Sequence, residues 1–167
     1  CPCHTGEQYD DCCGRFITQN SLPESALELM RSRYSAYALN KPGYLITTWH
    51  PHFRPKKLKM ETNLKWVNFT IIEHATQGGV AQVEFEAQFI SEGKVGFLHE
   101  QSHFVRQKKR WFYTKGDMLK PTQKSWSPKR NKPCPCGSKL KFKRCCGEWC
   151  LFDKEGFFCF KVYSLTH

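Results

Sequence analysis

One pattern, Cys-Pro-Cys, eight residues, then Cys-Cys-Gly, occurs twice in this chain and constrains it more than any other feature. It runs from Cys1-Pro2-Cys3 to Cys12-Cys13-Gly14, and again from Cys134-Pro135-Cys136 to Cys145-Cys146-Gly147. Each copy offers four sulfurs, the number that a closed tetrahedral Zn(2+) site requires. Four thiolates suit a soft or borderline ion and disfavour magnesium and calcium, while iron fits the same donors and spacing does not exclude it. Cys1, Cys3, Cys12 and Cys13 are therefore candidate ligands of one ion, and Cys134, Cys136, Cys145 and Cys146 of a second. A closed cage leaves no open coordination position, so these metals are expected to be structural and not catalytic. Adjacent cysteines share an ion only where the backbone bends sharply, and Gly14 and Gly147 are expected to supply that freedom. The turn at Gly137-Ser138 is expected to aim backbone N–H groups at sulfur. A knuckle this short has almost no core, so its folding energy must come mainly from the metal, typically about 10–16 kcal/mol.

The remaining cysteines, Cys150 and Cys159, lie in the tail, and none falls between Cys13 and Cys134. Disulfide scaffolds staple a whole small fold, whereas here the large central segment carries no crosslink. Two metal cages in a reducing, cytoplasmic compartment are the expectation. The 167 residues predict one conventional domain with small appendages, and 40% hydrophobic content is enough for a core. No stretch approaches the length of apolar residues that a membrane-spanning helix needs. The net charge of +11 is concentrated: residues 104–149 carry 14 basic and 2 acidic side chains. Two tetrathiolate zinc units would lower the total to about +7.

Between the knuckles the hydrophobic period changes once. Ser21-Leu22-Pro23-Glu24 reads as a capping box, and Leu27, Met30, Tyr34 and Tyr37 follow on one helical face. A second short helix is expected from Pro42 to Trp49, and a loop over 50–60. Period two then takes over. Strands are expected from Leu64, from Val80 to Phe89 and from Val95 to Val105, with a fourth from Arg110 to Lys115. Short turns between them favour an antiparallel meander, hence an α+β domain with helices packed on one face of a curved sheet. His99, Gln101 and His103 share one strand face, and Glu100 and Ser102 share the other. One set is expected to face solvent. The other could line a cavity, where a histidine beside a carboxylate would act as a general base, so His99, Glu100 and His103 are weak pocket candidates. No nucleophile motif, phosphate loop or zincin pattern is present, and no residue is assigned a catalytic role.

The knuckles differ in charge. The second carries Lys139, Lys141, Lys143 and Arg144 around Phe142, where the first has Glu7, Asp10 and Asp11 at corresponding or neighbouring positions. The basic side chains suit phosphates, with Phe142 expected to stack or insert, so an RNA, acidic-protein or anionic-lipid surface is the expected partner class. Base-specific DNA reading is not expected, because no recognition helix lies beside either knuckle. The acidic knuckle is expected to pack on the middle domain or a protein. Residues 118–133 read as a basic, poorly packed linker, and 148–167 as an aromatic hairpin.

Cys134-Pro135-Cys136-Gly137-Ser138 through Lys143-Arg144-Cys145-Cys146-Gly147 resembles the SEC-C zinc motif. That motif closes the preprotein translocase ATPase SecA and is implicated there in contacts with the chaperone SecB, lipid and the ribosome. With a second knuckle at the other end, the whole pattern resembles the YchJ family. Arg31-Ser32-Arg33-Tyr34-Ser35-Ala36-Tyr37, Thr48-Trp49-His50-Pro51, Phe97-Leu98-His99-Glu100 and Arg110-Trp111-Phe112-Tyr113 are similar to its middle domain. The resemblance implies an NTF2-like cone over 21–117, a SEC-C-like knuckle over 1–16 and a SEC-C knuckle over 134–147. The family has no established activity, so the function is an expectation from the residues: a non-enzymatic zinc protein whose basic C-terminal knuckle contacts a ribosomal, export-related or other anionic surface, with an enzyme or small-molecule binder using an NTF2-like pocket as the alternative. His4 stands where the second copy has Gly137, so the first knuckle is expected to bend differently.

Overall fold

The computed structural model describes residues 1–61 and 63–147. The expected aromatic hairpin, with Cys150 and Cys159, lies outside the described residues.

A tight turn over Asp10–Gly14 runs into a short helix α1, Arg15–Ile17. Helix α2 spans Ala26–Ala38 and α3 spans Pro42–Thr47. Four strands follow: β1 Leu64–Gln77, β2 Val80–Ser91, β3 Lys94–Gln107 and β4 Arg110–Leu119, in the sheet order β1-β2-β3-β4. All three pairings are antiparallel. The helix-then-meander architecture is thus the one the change of period implies. Strand β1 ends at Gln77, just before Gly78-Gly79, as expected, whereas β2, β3 and β4 run past the ends expected of them. β-Bulges near Trp66, Ile71 and Thr114 accompany the curvature of the sheet. The segment Thr48–His50 adds to the outer edge of β4 through two backbone bonds, His50 N–H to the Tyr113 carbonyl and Tyr113 N–H to the Thr48 carbonyl. It covers an edge that would otherwise be open.

The capping box is one motif further on than expected. Ser25 is the N-cap, accepting from the Glu28 N–H, and Glu28 reaches back to the Ser25 N–H. Both Ser21-x-x-Glu24 and Ser25-x-x-Glu28 fit the pattern, and a tertiary bond separates them. The Trp111 indole N–H donates to the Glu24 carbonyl at 3.0 Å, which keeps residue 24 outside the helix.

Helix α2 is covered on more sides than an apolar stripe would suggest. Ser32, Arg33, Tyr34, Ser35 and Ala36 are all buried in succession. One side of the helix meets the sheet, where Leu29, Met30 and Tyr34 join Ala81, Val83, Phe85 and Ala87 in the main core. Another meets the first knuckle: Cys3 and Cys13 belong to the same core, and Arg31 donates to the Cys3 carbonyl at 3.2 Å. The first knuckle is therefore part of the domain's core.

The second knuckle docks elsewhere. Val67, Ile90 and Val95 form a separate apolar cluster with Cys134, Phe142 and Cys146. Ile90 is out of phase with Ala81, Val83, Phe85 and Ala87, so this cluster sits on the other face of the sheet. The linker is poorly packed, as expected, with Pro128 alone buried among residues 118–133, yet hydrogen bonds tie it to the sheet. Trp126 exchanges two backbone hydrogen bonds with Val95, and the Thr122 hydroxyl and N–H both donate to Glu86. Phe142 N–H bonds to the Lys132 carbonyl and Lys143 N–H to that of Arg130, tying the knuckle to the chain that leads into it.

Candidate metal centres

The two knuckles are built alike, residue for residue. His4 and Gly137 both have positive φ, 59° and 79°, and so do the positions two further on, Gly6 and Lys139, at 90° and 61°. His4 thus adopts the same left-handed turn as its glycine counterpart, and the expected difference in bend is absent. The sharp bend that lets neighbouring cysteines converge lies in the first cysteine of each pair: Cys12 has ψ −105° and Cys145 has ψ −115°. It does not lie in the glycines, and Gly14 has an ordinary helical φ of −59°. Their role is close approach. A Cβ on Gly14 would stand 2.7 Å from the Tyr9 carbonyl oxygen and 3.0 Å from its ring, and one on Gly147 would stand 2.8 Å and 2.9 Å from the same groups of Phe142. Tyr9 and Phe142 occupy equivalent places in the repeat, each an aromatic lid on its glycine.

In each knuckle the four sulfurs lie within 4.8 Å of one another. Cys3 and Cys12 lie 3.5 Å apart, and Cys136 and Cys145 3.4 Å. The edge of a zinc–thiolate tetrahedron is about 3.8 Å for Zn–S bonds of about 2.3 Å. The donors therefore fit such an ion, and all eight are free thiols. Equivalent hydroxyls support one sulfur in each cage: Thr5 Oγ1 lies 3.3 Å from Cys12 Sγ, and the Ser138 hydroxyl donates to Cys145 Sγ at 3.2 Å.

Each cage also prepares one thiol for ionisation. A hydrogen bond from Cys13 is the main cause that lowers Cys3 to about 4, with Thr5 and Cys12 adding to it against burial. Burial works against the charge of Cys136, but hydrogen bonds from the Ser138 hydroxyl and backbone bring it down to about 6. Cys13 and Cys146 shift upward, Cys13 through its bond to Cys3 and Cys146 through burial. A metal that displaces the remaining protons converts each set into four ligands.

Surroundings differ between the cages. The first lies in the main core, with Cys1 Sγ 3.7 Å from the Ser35 hydroxyl of α2. Lys65 of β1 donates its ammonium to Cys146 Sγ of the second at 3.4 Å. Burial disfavours that ammonium, yet negative charge on the Cys146 and Cys136 sulfurs outweighs it and raises Lys65. No motif marks Lys65 as a neighbour of sulfur, so sequence reading missed it.

Lys139, Lys141 and Arg144 are exposed and Lys143 is partly so. Phe142 is not available to a partner. It is 5% exposed, with its ring turned onto the sheet cluster, because the docked knuckle needs an apolar foot there. The pocket candidates separate as well. Glu100 pairs with Phe85 and lines a cavity on the helical face. His99 and His103 lie on the opposite face, His99 against Glu84 and His103 against Asp117, 2.8 Å and 2.7 Å away. The structure does not bring either histidine together with Glu100. Among the described residues no helix is long and apolar enough to cross a membrane.

Comparison with known proteins agrees with this organisation. The family described as "YchJ, middle NTF2-like domain" matches residues 25–116, and the SEC-C motif matches residues 130–148. The UPF0225 protein SG1365 of Sodalis glossinidius (strain morsitans) is 40% identical over 155 residues, covering 87% of this chain and 96% of that protein. A SEC-C motif-containing protein from Rhodopseudomonas palustris, solved in solution, superposes with a TM-score of 0.65 at 30% identity, over 72% of this chain and 98% of its own. A crystal structure of a SEC-C motif-containing protein from Psychrobacter arcticus gives 0.53 at 32% identity, over 87% and 88%.

Proposed function

The chain belongs to the YchJ family, and from that premise we propose that it is a non-enzymatic, cytoplasmic adaptor whose two cages each hold one Zn(2+), or iron in the same ligands. Its C-terminal knuckle and the preceding linker contact an anionic surface, foremost ribosomal RNA. The observation that carries this reading is the outward cation set. Lys139, Lys141, Lys143 and Arg144 project from a knuckle that Phe142 and Cys146 anchor to the sheet. Lys129, Arg130 and Lys132 stand exposed on the segment bonded to it, and residues 118–147 contain no acidic side chain. Cations on a rigid support neutralise phosphates without losing much conformational entropy on binding. Asp10 and Asp11, at the positions of Lys143 and Arg144, give the first knuckle the opposite sign and leave it to the core. Once the metals supply their charge, no open ligand position is needed, since this role asks the ions only for rigidity.

The test compares the metal-loaded chain with a variant in which Lys139, Lys141, Lys143 and Arg144 are replaced by Gln. Ribosome co-sedimentation is expected to fall at least tenfold, and the slope of log affinity against log salt to flatten by about 3–4. Equal co-sedimentation at moderate salt would remove the ribosomal assignment. Binding retained on anionic vesicles and lost on ribosomes would move the surface to lipid.

A further inference from the structure

We propose that the middle domain binds a small zwitterion of the α-amino-acid type, with an apolar side chain, in the cavity between α2 and the sheet. The cavity encloses about 240 Å³, the room of about eight waters and below the ~300–1,000 Å³ of drug-sized sites, so it selects a small molecule. Met30, Trp66, Phe85 and Leu98 give it apolar walls.

Two opposite charges share this apolar space without meeting. Arg33 is 2% exposed, and its Nη1 donates to the Leu45 carbonyl and to Thr48 Oγ1, both at 2.8 Å. Its guanidinium carbon lies 4.3 Å from the centre of the Tyr113 ring. The hydroxyl of that same ring donates to Glu100 Oε1 at 3.3 Å, and Ser102 donates to the same oxygen at 2.6 Å. Tyr113 thus spans the gap, with the cation over its face and the carboxylate at its tip. Among the described residues no ion pair joins Arg33 to Glu100. A buried cation and a carboxylate held apart each bear desolvation that direct contact would offset.

The arrangement sets the ligand's charges. A carboxylate answers Arg33 and an ammonium answers Glu100. A simple anion would be repelled by Glu100, and a simple cation by Arg33. Lys59 and Glu61 also line the cavity and repeat the balance of one positive and one negative group. The ligand's apolar side chain has Trp66 and Leu98 to lie against.

Titrating the metal-loaded, 15N-labelled full chain tests the proposal, with L-phenylalanine, L-leucine, 3-phenylpropionate and phenethylamine as probes. One or both amino acids are expected to shift the amides of Glu100 and Tyr113, and to bind at least tenfold tighter than the single-charge analogues. Glu100→Gln keeps an acceptor for Ser102 and Tyr113. It is expected to weaken the amino acids at least tenfold while leaving 3-phenylpropionate as tight or tighter. Leu98→Trp fills the space, retains both charges and is expected to abolish binding. Each variant's fold is read from its own amide spectrum, and if Glu100→Gln fails to fold, the analogue series and Leu98→Trp decide. The proposal is overturned if neither amino acid shifts those amides at about 10 mM, a level far weaker than the about 1 mM that corresponds to −4.1 kcal/mol. Binding no tighter than the analogues, or unchanged by Leu98→Trp, overturns it equally.

Discussion

His99 and Glu84 meet across β3 and β2 with the imidazole Nε2 2.8 Å from the carboxylate Oε1, while Nδ1 lies 2.8 Å from the carbonyl oxygen of Lys120. Both ring nitrogens face acceptors, so the ring satisfies both by carrying two protons. The contact ties the start of the linker to the outer sheet face.

The Lys120 carbonyl is the main cause that raises the pKa of His99, burial opposes it, and Glu84 and Glu86 add to it. A group raised in the folded state contributes stability that is complete below its unfolded value, about 6.5, and lost as pH climbs through the folded value. The melting temperature is therefore expected to fall as pH rises above about 6.5, and to fall less in His99→Gln. Parallel melting curves for the two proteins would show that this ring contributes nothing to the pH dependence.

Tyr9 and Phe142 are equivalent lids, but the buried Tyr9 hydroxyl has no hydrogen-bond partner among the described residues. Tyr9→Phe removes an uncompensated polar group and is expected to stabilise the chain by about 1 kcal/mol. Urea denaturation measures this, and a loss of stability would show that the hydroxyl has a partner in solution. Gly14→Ala and Gly147→Ala are expected to cost about 1–3 kcal/mol, since the added Cβ meets backbone oxygen that cannot rotate away.

His4 holds a left-handed turn at φ 59°, where its counterpart is Gly137. His4→Gly is expected to relieve about 1 kcal/mol of strain, offset in part by the greater freedom of the unfolded chain. Gly137→His is expected to cost a similar amount. If both substitutions shift the urea midpoint in the same direction, the equivalence of the two turns is wrong.

Removing each cage is expected to have different consequences. Cys3 and Cys13 sit in the main core, so Cys13→Ser should lower the stability of the whole domain and drop metal content from two equivalents to one. Cys145→Ser should release the second knuckle while leaving the amide spectrum of the middle domain largely in place, with new proteolytic cleavage after Lys129 or Arg130. Elemental analysis together with limited proteolysis separates the two, and identical behaviour would contradict their placement on opposite faces.

Lys65 supports the second cage alone. Lys65→Met removes a cation that bonds Cys146 and is expected to weaken metal affinity there by about 10–100-fold without affecting the first site. Competition against a chromophoric chelator reads both sites. An unchanged second site would mean that the ammonium holds the knuckle in place and does not tune its sulfurs.

The covalent order of the chain carried much of this organisation openly. Eight cysteines at matched spacing identify both cages, because a four-thiolate site is defined by local geometry and needs few residues. The alternation through Ala81, Val83, Phe85 and Ala87 likewise names its own buried face. Local pattern failed where two segments were equally eligible. Ser21 and Ser25 both begin a capping box, and only the Trp111 bond to Glu24, from far along the chain, chooses between them. It failed also where a residue type points either way. Phe142 beside four cations suits a stacking partner, but a knuckle with no interior of its own needs an apolar foot more.

Sequence alone determined that two four-cysteine knuckles flank a helix-and-meander domain, and that the second is basic, because cysteine spacing, strand period and charge are properties of neighbours in the chain. Only the tertiary structure decided that the knuckles occupy opposite faces of one sheet, that Arg33 is buried in sight of Glu100, and that His99 points away from the cavity. Those outcomes depend on which surfaces close over one another, and residues distant in sequence compete for the same buried space.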